Sequence, residues 1–242
     1  MKYVASCSFG KDSIATILLA HEHGEPLDEI VYCEVMYDEN ISGEVPEHRD
    51  FIYNTAIPKI ESMGYKVKIL RSDKTYMDCF NHVASHGKNK GYKGGFALSG
   101  KCFVNRDCKM RPIKQYNKEN QGCIHYIGIA TNETKRIDRL NDKNISLLVK
   151  YGYNEEMAIE LCEKNGLVSP IYSFSKRCGC WFCPNARLVE LRHLYDYHQD
   201  LWQKWLDMET DPDILRKEFS YNEKISDYDT RFKNEDSQIR FF

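Results

Sequence analysis

The chain has 242 residues, of which 34 are basic, 36 acidic and ten cysteine, so its formal net charge is −2. Hydrophobic residues make up 42% and charged residues 29%, a balance that predicts a packed core and excludes a disordered chain. No apolar run approaches the roughly 20 residues of a membrane span, and no signal sequence precedes the first predicted strand. We therefore expect a cytoplasmic protein without membrane association. That compartment keeps thiols reduced, so the cysteines are interpreted as core residues and metal ligands and not as disulfides.

Strands and helices alternate over the first 150 residues. The predicted strands are 2–7, 29–36, 66–70 and 124–130, and the predicted helices are 13–23, 47–63, 75–85, 111–119 and 132–140. This alternation predicts an α/β fold with a doubly wound, mostly parallel sheet that helices cover on both faces. Such a sheet binds its ligand beyond the carboxyl ends of the strands.

The pattern changes near residue 150. A helix at 154–164, closed by Gly166, is followed by a cysteine-rich loop and by a long amphipathic run over 187–206. The sequence therefore predicts two domains, an α/β domain over 1–150 and a helical subdomain over 151–242. The charged tail, 207–242, is expected to wrap over the surface.

The turn after the first strand, Ser8-Phe9-Gly10-Lys11-Asp12-Ser13, carries the main functional signal. A strand that breaks into a short Ser/Gly turn and continues as a helix directs free backbone N–H groups and the positive end of the helix dipole at one point, which suits an anion. Lys11 adds positive charge, and Asp12 is suited to hold magnesium. The usual P-loop needs a glycine where this chain has Ala5. A capped turn without a ligand is the alternative.

Several segments in a fixed order resemble one family. The turn is similar to the PP-loop, S-x-G-K-D-S, of the adenine nucleotide alpha-hydrolase superfamily, and the chain resembles its branch related to phosphoadenosine phosphosulfate reductases. The further segments that carry the resemblance are Asp38 after the second strand, Pro46–Ile52, Lys109-Met110-Arg111-Pro112-Ile113, the element from Gly128 to Arg136 and Gly179-Cys180-Trp181-Phe182-Cys183-Pro184. Together they cover roughly residues 1 to 190, which is more specific than any single motif.

The resemblance implies a Rossmann-like fold, an adenine nucleotide as ligand, and ATP and Mg²⁺ as cofactors. The residues that it implies for nucleotide binding are Ser8, Phe9, Gly10, Lys11, Asp12, Ser13, Asp38, Gly128, Glu133 and Arg136, and those that it implies for catalysis are Lys11, Asp12, Lys109 and Arg111. In this scheme the turn holds the β and γ phosphates, Asp12 and Asp38 hold Mg²⁺, and Glu133 orients one of the arginines.

The spacing of the cysteines indicates a metal site. Cys180 and Cys183 form a C-x2-C knuckle, and Cys102 and Cys108 form a C-x5-C pair in the other half of the chain, which fits four thiolates that join the helical subdomain to the sheet domain. Zn²⁺ is the first assignment, because the upstream cysteines are not adjacent as in relatives with a [4Fe–4S] cluster, and that cluster is the second. Cys178 is a substitute ligand. The remaining cysteines, which are Cys7, Cys33, Cys79, Cys123 and Cys162, are interpreted as core residues.

The implied activity is cleavage of ATP to AMP and pyrophosphate, which adenylates a substrate for sulfur or nitrogen transfer. One alternative is a sulfonucleotide reductase, but no cysteine follows Cys183 to serve as its nucleophile. Another is a nucleotide-sensing or nucleic-acid-binding component without turnover. The acceptor, a nucleic acid or a small molecule, the involvement of a sulfur-donor protein and the oligomeric state all stay open. The basic segment 86–118 is either an anion-attracting flap or a solvated loop.

Overall fold

The computed structural model describes residues 1–97, 100, 102–220 and 222–239, with only the backbone described at 239. Its strands form one parallel sheet in the order β3-β2-β1-β4-β5. Their bounds are β1 Tyr3–Cys7, β2 Glu29–Cys33, β3 Val67–Leu70, β4 Ile124–Ile127 and β5 Asn144–Ile145. The α/β fold with a parallel sheet that the sequence predicts is confirmed.

Strand β1 lies at the centre of the sheet. Its residue Ala5 pairs with Ile30 of β2 on one side and with Tyr126 of β4 on the other. The strand order reverses at this point, because β2 and β3 lie on one side of β1 and β4 and β5 on the other. A reversal of this kind leaves a crevice at the carboxyl ends of the strands, which is where open α/β sheets bind ligands.

Helices connect the strands and extend beyond them. Their bounds are α1 Lys11–Glu22, α2 Pro46–Phe51, α3 Ile57–Ser62, α4 Tyr76–Phe80, α5 Arg111–Glu119, α6 Thr134–Ile137, α7 Leu147–Lys150, α8 Glu155–Lys164, α9 Leu188–Tyr197, α10 Gln199–Glu209 and α11 Ile225–Ile239. Two π-helical segments, Ile52–Ala56 and Asn105–Met110, and a 3-10 helix, Pro170–Ser173, complete the assignment. No described helix has the length and hydropathy that crossing a bilayer requires.

Prolines explain where helices contain π-helical segments. The helix predicted at 47–63 is present, but a π-helical turn, Ile52–Ala56, interrupts it just before Pro58. A second π-helical segment likewise ends just before the α-helix that carries Pro112. Proline lacks the amide that would bond the carbonyl four residues back, and its ring collides with that carbonyl, so the preceding turn widens.

Other predicted elements were longer than those in the structure. The strand predicted at 124–130 ends at Ile127 and the helix predicted at 75–85 ends at Phe80. The run predicted as one amphipathic helix divides at His198, whose backbone is not helical (φ −134°, ψ 58°). The short strand β5 and the helix after it have too few residues to show a period, and the sequence analysis missed them.

The described chain separates into two compact units, neither of which is one continuous stretch. Unit 1 comprises 1–34, 44–71 and 109–178 and contains the whole sheet, and unit 2 comprises 35–43, 72–108 and 179–242. In unit 2 the charged tail forms a helix, and its Phe232 is buried within 5.8 Å, between ring centroids, of Trp202. Phe232 of the tail therefore belongs to the core of the unit.

Candidate nucleotide site and cysteine cluster

The turn between β1 and α1 is held by its own side chains. The hydroxyl of Ser13 donates to the carbonyl of Gly10 (2.9 Å) and accepts from the amide of Ser8 (3.3 Å). Phe9 has a left-handed backbone (φ 56°) and is fully buried, with its ring edge on Tyr32. Because burying this ring compensates for the backbone strain, Phe9 fixes the direction in which the turn leaves the strand.

Backbone donors remain open at this turn. Among the described residues, the amides of Gly10, Asp12 and Ser13 have no acceptor, as expected for the first turn of a helix. The amide of Lys11 donates to the hydroxyl of Tyr172 (2.8 Å). Open N–H groups at the N-terminus of a 12-residue helix are suited to bind an anion.

A cavity of about 270 Å³ lies in unit 1 at the reversal of the strand order. This volume is close to the lower end, about 300 Å³, of small-molecule sites. The residues that line it are Val4, Ser6, Cys7, Ser8, Gly10, Asp12, Ser13, Val31, Cys33, Lys109, Ile113, Tyr116, Asn117, His125, Ile127, Gly128 and Arg136. Polar turn residues and apolar strand residues thus share one space, which suits a ligand with an anionic and an aromatic part.

Gly128 brings strand β4 against the start of α1. A Cβ atom at Gly128 would lie 2.8 Å from the carbonyl carbon of Asp12 and 2.8 Å from the amide nitrogen of Ser13. These are backbone atoms that no rotamer change can move, so this position requires glycine. The close approach sets the end of β4 directly beside the open amides.

Lys11 is already paired. Its ammonium donates to Asp12 (2.8 Å) and to Glu155 (3.0 Å), and its side chain is 11% exposed. Burial alone would lower the pKa of Lys11, but its two carboxylate partners outweigh that effect and raise it. Lys11 is not among the described residues that line the cavity, so contact with a ligand there requires it to leave these partners.

Asp12 does line the cavity, and burial raises the pKa of its carboxyl group, with Lys11 opposing the change. A cation bound at Asp12 would offset the cost of holding this carboxylate in a half-buried position.

Two other cationic side chains line the cavity. The ammonium of Lys109 has no partner among the described residues, and Arg136 donates to Glu133 (2.6 Å). The other carboxylate oxygen of Glu133 accepts from the amide of Ala130 (3.1 Å). Glu133 therefore ties Arg136 to the turn that follows β4.

Five residues predicted for nucleotide binding or catalysis do not line this cavity within the described chain, namely Phe9, Lys11, Asp38, Arg111 and Glu133. Asp38 belongs to unit 2, where its carboxylate accepts from the amides of Asn40 (2.9 Å) and Ile41 (2.7 Å) and closes a turn. Arg111 is exposed at the first position of α5.

Several residues that line the cavity were not predicted from the sequence. His125, in the middle of β4, and Asn117, on α5, both line the cavity, and burial lowers the pKa of His125. A single polar residue inside a strand pattern gives no signal that distinguishes a ligand contact from an edge position.

His48 was also missed as a support of the turn. It is fully buried, and its ring nitrogens contact the hydroxyl of Ser169 (2.8 Å) and the carbonyl of Ser8 (3.3 Å). Burial lowers the pKa of His48, so the ring is neutral at pH 7 and one ring N–H donates to Ser8. Ser169 and Tyr172 belong to one 3-10 turn, which therefore holds the loop both through His48 and through the amide of Lys11.

All the predicted metal ligands lie in unit 2, with one further thiol. Cys79, which the sequence analysis assigned to the core, is half-buried and its sulfur lies 3.8 Å from that of Cys108. Burial raises the pKa of Cys102, and the nearby charges of Cys183 and Cys79 raise it further. The contact between Cys79 and Cys108 lowers the pKa of Cys79 and raises that of Cys108, on which Cys180 also acts. Five thiols thus converge within one unit.

The spacing of these thiols does not match a preformed zinc site. Four thiolates on one Zn²⁺, at about 2.3 Å each, lie about 3.8 Å from one another. The sulfurs of Cys79 and Cys108 have this separation, but no three cysteine sulfurs of the described chain lie mutually within 4.8 Å. Cys178 belongs to unit 1, where its sulfur is 3.5 Å from the hydroxyl of Tyr172.

No protein-family model and no curated protein matches this chain. Among solved structures, the U34-tRNA thiolase NcsA from Methanococcus maripaludis with its [4Fe–4S] cluster superposes with a TM-score of 0.45 and 14% sequence identity. The superposition covers 96% of this chain and 72% of that one.

Proposed function

We propose that this chain is an enzyme of the PP-loop type that binds ATP in the cavity of unit 1 and cleaves it between the α and β phosphates. The substrate oxygen attacks the α phosphorus, the bond to the β-phosphate oxygen breaks, and pyrophosphate leaves with the released electron pair. A sulfur or nitrogen nucleophile then displaces AMP from the adenylated substrate. The observation that carries the proposal is the set of three open amides, on Gly10, Asp12 and Ser13, at a helix N-terminus that borders the cavity.

The residues act by binding and by neutralising charge. The open amides and the hydroxyl of Ser8 donate to phosphate oxygens, and the ammonium of Lys109 and the guanidinium of Arg136 balance the charge that develops on pyrophosphate. Asp12 would hold Mg²⁺, which would supply positive charge for the phosphates. In the proposal Lys11 exchanges its carboxylate partners for phosphate oxygens, and Arg111 contacts the leaving group.

We also propose that the thiols of unit 2, among them Cys102, Cys108, Cys180 and Cys183, hold a metal centre. No three of these sulfurs lie mutually within 4.8 Å in the described chain, a wider spread than four thiolates on one zinc ion have. The proposal therefore includes both an iron–sulfur cluster and Zn²⁺ bound after the thiols move together. Such a cluster supplies a redox centre or a carrier of sulfur when it is bound.

The products of ATP turnover test the proposal. Protein purified without oxygen is incubated with ATP labelled at the α phosphate, and the labelled products are separated. Labelled AMP with an equal amount of pyrophosphate, formed by the wild type and lost in Lys109→Ala, is the expected result. ADP as the product would contradict the proposal, and so would ATP binding without turnover across nucleic-acid and small-molecule acceptors, which would indicate a sensor. Release of sulfite from a sulfonucleotide with thioredoxin would instead indicate a reductase.

A further inference from the structure

We infer that Cys79 is a metal ligand and that it binds the same metal ion as Cys108. The inference rests on the metal centre of the proposed function and not on the nucleotide site. The sequence gives no sign of it, because Cys79 has neither a C-x2-C nor a C-x5-C partner.

The distance between the two sulfurs carries the argument. At 3.8 Å, it equals the edge of a tetrahedron formed by thiolates about 2.3 Å from a central ion. A metal ion bound to Cys108 can therefore bind Cys79 without movement of either segment. The two cysteines come from different elements, α4 and the π-helical segment Asn105–Met110, so a shared ion would join segments 29 residues apart.

The composition of unit 2 agrees with this arrangement. The unit contains five of the ten cysteines, Cys79, Cys102, Cys108, Cys180 and Cys183. Cys180 and Cys183 lie on one turn, in which the amide of Cys183 donates to the carbonyl of Cys180 (3.0 Å). A C-x2-C pair commonly binds one metal ion with both thiolates.

An entry path reaches Cys79. A surface cleft of about 250 Å³ in unit 2 includes Cys79 in its lining. Cys108 is fully buried, so a metal ion or its donor reaches the pair from the side of Cys79.

A shared ion limits the kind of centre. In a [4Fe–4S] cluster each iron binds one protein thiolate. Each iron of a [2Fe–2S] cluster binds two protein thiolates, and a single tetrahedral ion binds up to four. The shared chemistry is a thiophilic tetrahedral ion with two thiolates from Cys79 and Cys108. Iron and zinc analysis of the full-length protein distinguishes a single zinc ion from a [2Fe–2S] cluster.

Cobalt substitution tests the inference without reference to activity. Full-length protein, stripped of metal and kept free of oxygen, is titrated with Co²⁺ while the thiolate-to-cobalt absorption is recorded. For a four-thiolate centre we expect Cys79→Ser and Cys108→Ser each to lose about a quarter of that absorption. Cys123→Ser, a buried thiol of unit 1, is the matched control and should behave as the wild type. A Cys79→Ser spectrum equal to that of the wild type would overturn the inference and leave the metal centre standing.

A second measurement needs no variant and so does not depend on how Cys79→Ser folds. Wild-type protein is alkylated with iodoacetamide before and after metal loading, and the labelled cysteines are identified by mass spectrometry. We expect metal to protect Cys79 and Cys108 together. Equal labelling of Cys79 in both states contradicts the inference alone, whereas a wild type that takes up neither iron, zinc nor cobalt contradicts the metal centre as well.

Discussion

The substitution Gly128→Ala tests how the end of β4 positions the open amides of the turn. The added Cβ would lie 2.8 Å from the amide nitrogen of Ser13 and 2.9 Å from the carbonyl oxygen of Asp12. Since these are backbone atoms, the start of α1 must shift by several tenths of an ångström. Overpacking of this kind costs about 1–3 kcal/mol, which for a chain of this size lowers Tm by about 2–12 °C.

The same shift should weaken nucleotide binding, because the amides of Asp12 and Ser13 then point away from the phosphates. Loss of one hydrogen bond to a charged group costs about 1.5–3 kcal/mol, so we expect the Kd for MgATP to rise about 10- to 150-fold. Scanning calorimetry gives the change in Tm, and titration calorimetry gives the Kd.

Two other glycines provide controls for the stability effect. At Gly10 a Cβ would meet the hydroxyl of Tyr172 at 3.1 Å, the far end of a side chain that can move, so Gly10→Ala should destabilise less. At Gly94 the nearest atom is the carbonyl oxygen of Cys79 at 3.5 Å, an ordinary contact, so Gly94→Ala should leave Tm within about 1 °C of the wild type. A Gly128→Ala protein with unchanged Tm and unchanged Kd would refute the reasoning.

Three further predictions follow from single side chains and from the metal centre. Lys109→Ala should weaken MgATP binding about 10- to 100-fold in titration calorimetry, whereas Lys118→Ala, an exposed lysine that does not line the cavity, should bind as the wild type does. Since burial lowers the pKa of His48 in the folded state, the unfolded chain binds more protons below about pH 6.5. The free energy of unfolding should therefore be greatest above that pH and should fall as the pH drops through the folded pKa. In urea titrations this fall should be smaller for His48→Gln than for the wild type. Chelation of the metal under reducing conditions should lower Tm, because thiolate centres couple binding to folding, and equal Tm values with and without metal would count against the centre.

Local patterns were sufficient for much of the fold. The helix predicted at 111–119 was found with those bounds, and the predicted strands were found with ends that differ by one to three residues. Strands and amphipathic helices have short repeating periods, and the turn at Ser8–Ser13 has a distinctive composition, so each can be recognised without knowledge of distant contacts.

Features that depend on distant parts of the chain could not be found in this way. His48 contacts Ser169, 121 residues away, and Lys11 pairs with Glu155, 144 residues away. Cys79 was interpreted as a core residue, although its sulfur contacts that of Cys108. Such contacts depend on the tertiary fold and leave no periodic signal in the sequence.

Uptake of nucleotide by the cavity of unit 1 is the central claim, and a cavity-filling variant tests it most directly. Ser6 lies on the cavity side of β1, so Ser6→Leu fills the cavity without touching the turn, and Ser62→Leu, at an exposed position on α3, is the matched control. In titration calorimetry with MgATP, we expect one nucleotide per chain for the wild type and for Ser62→Leu, and no uptake for a folded Ser6→Leu. No uptake by the wild type, or equal uptake by Ser6→Leu, would contradict the proposed site.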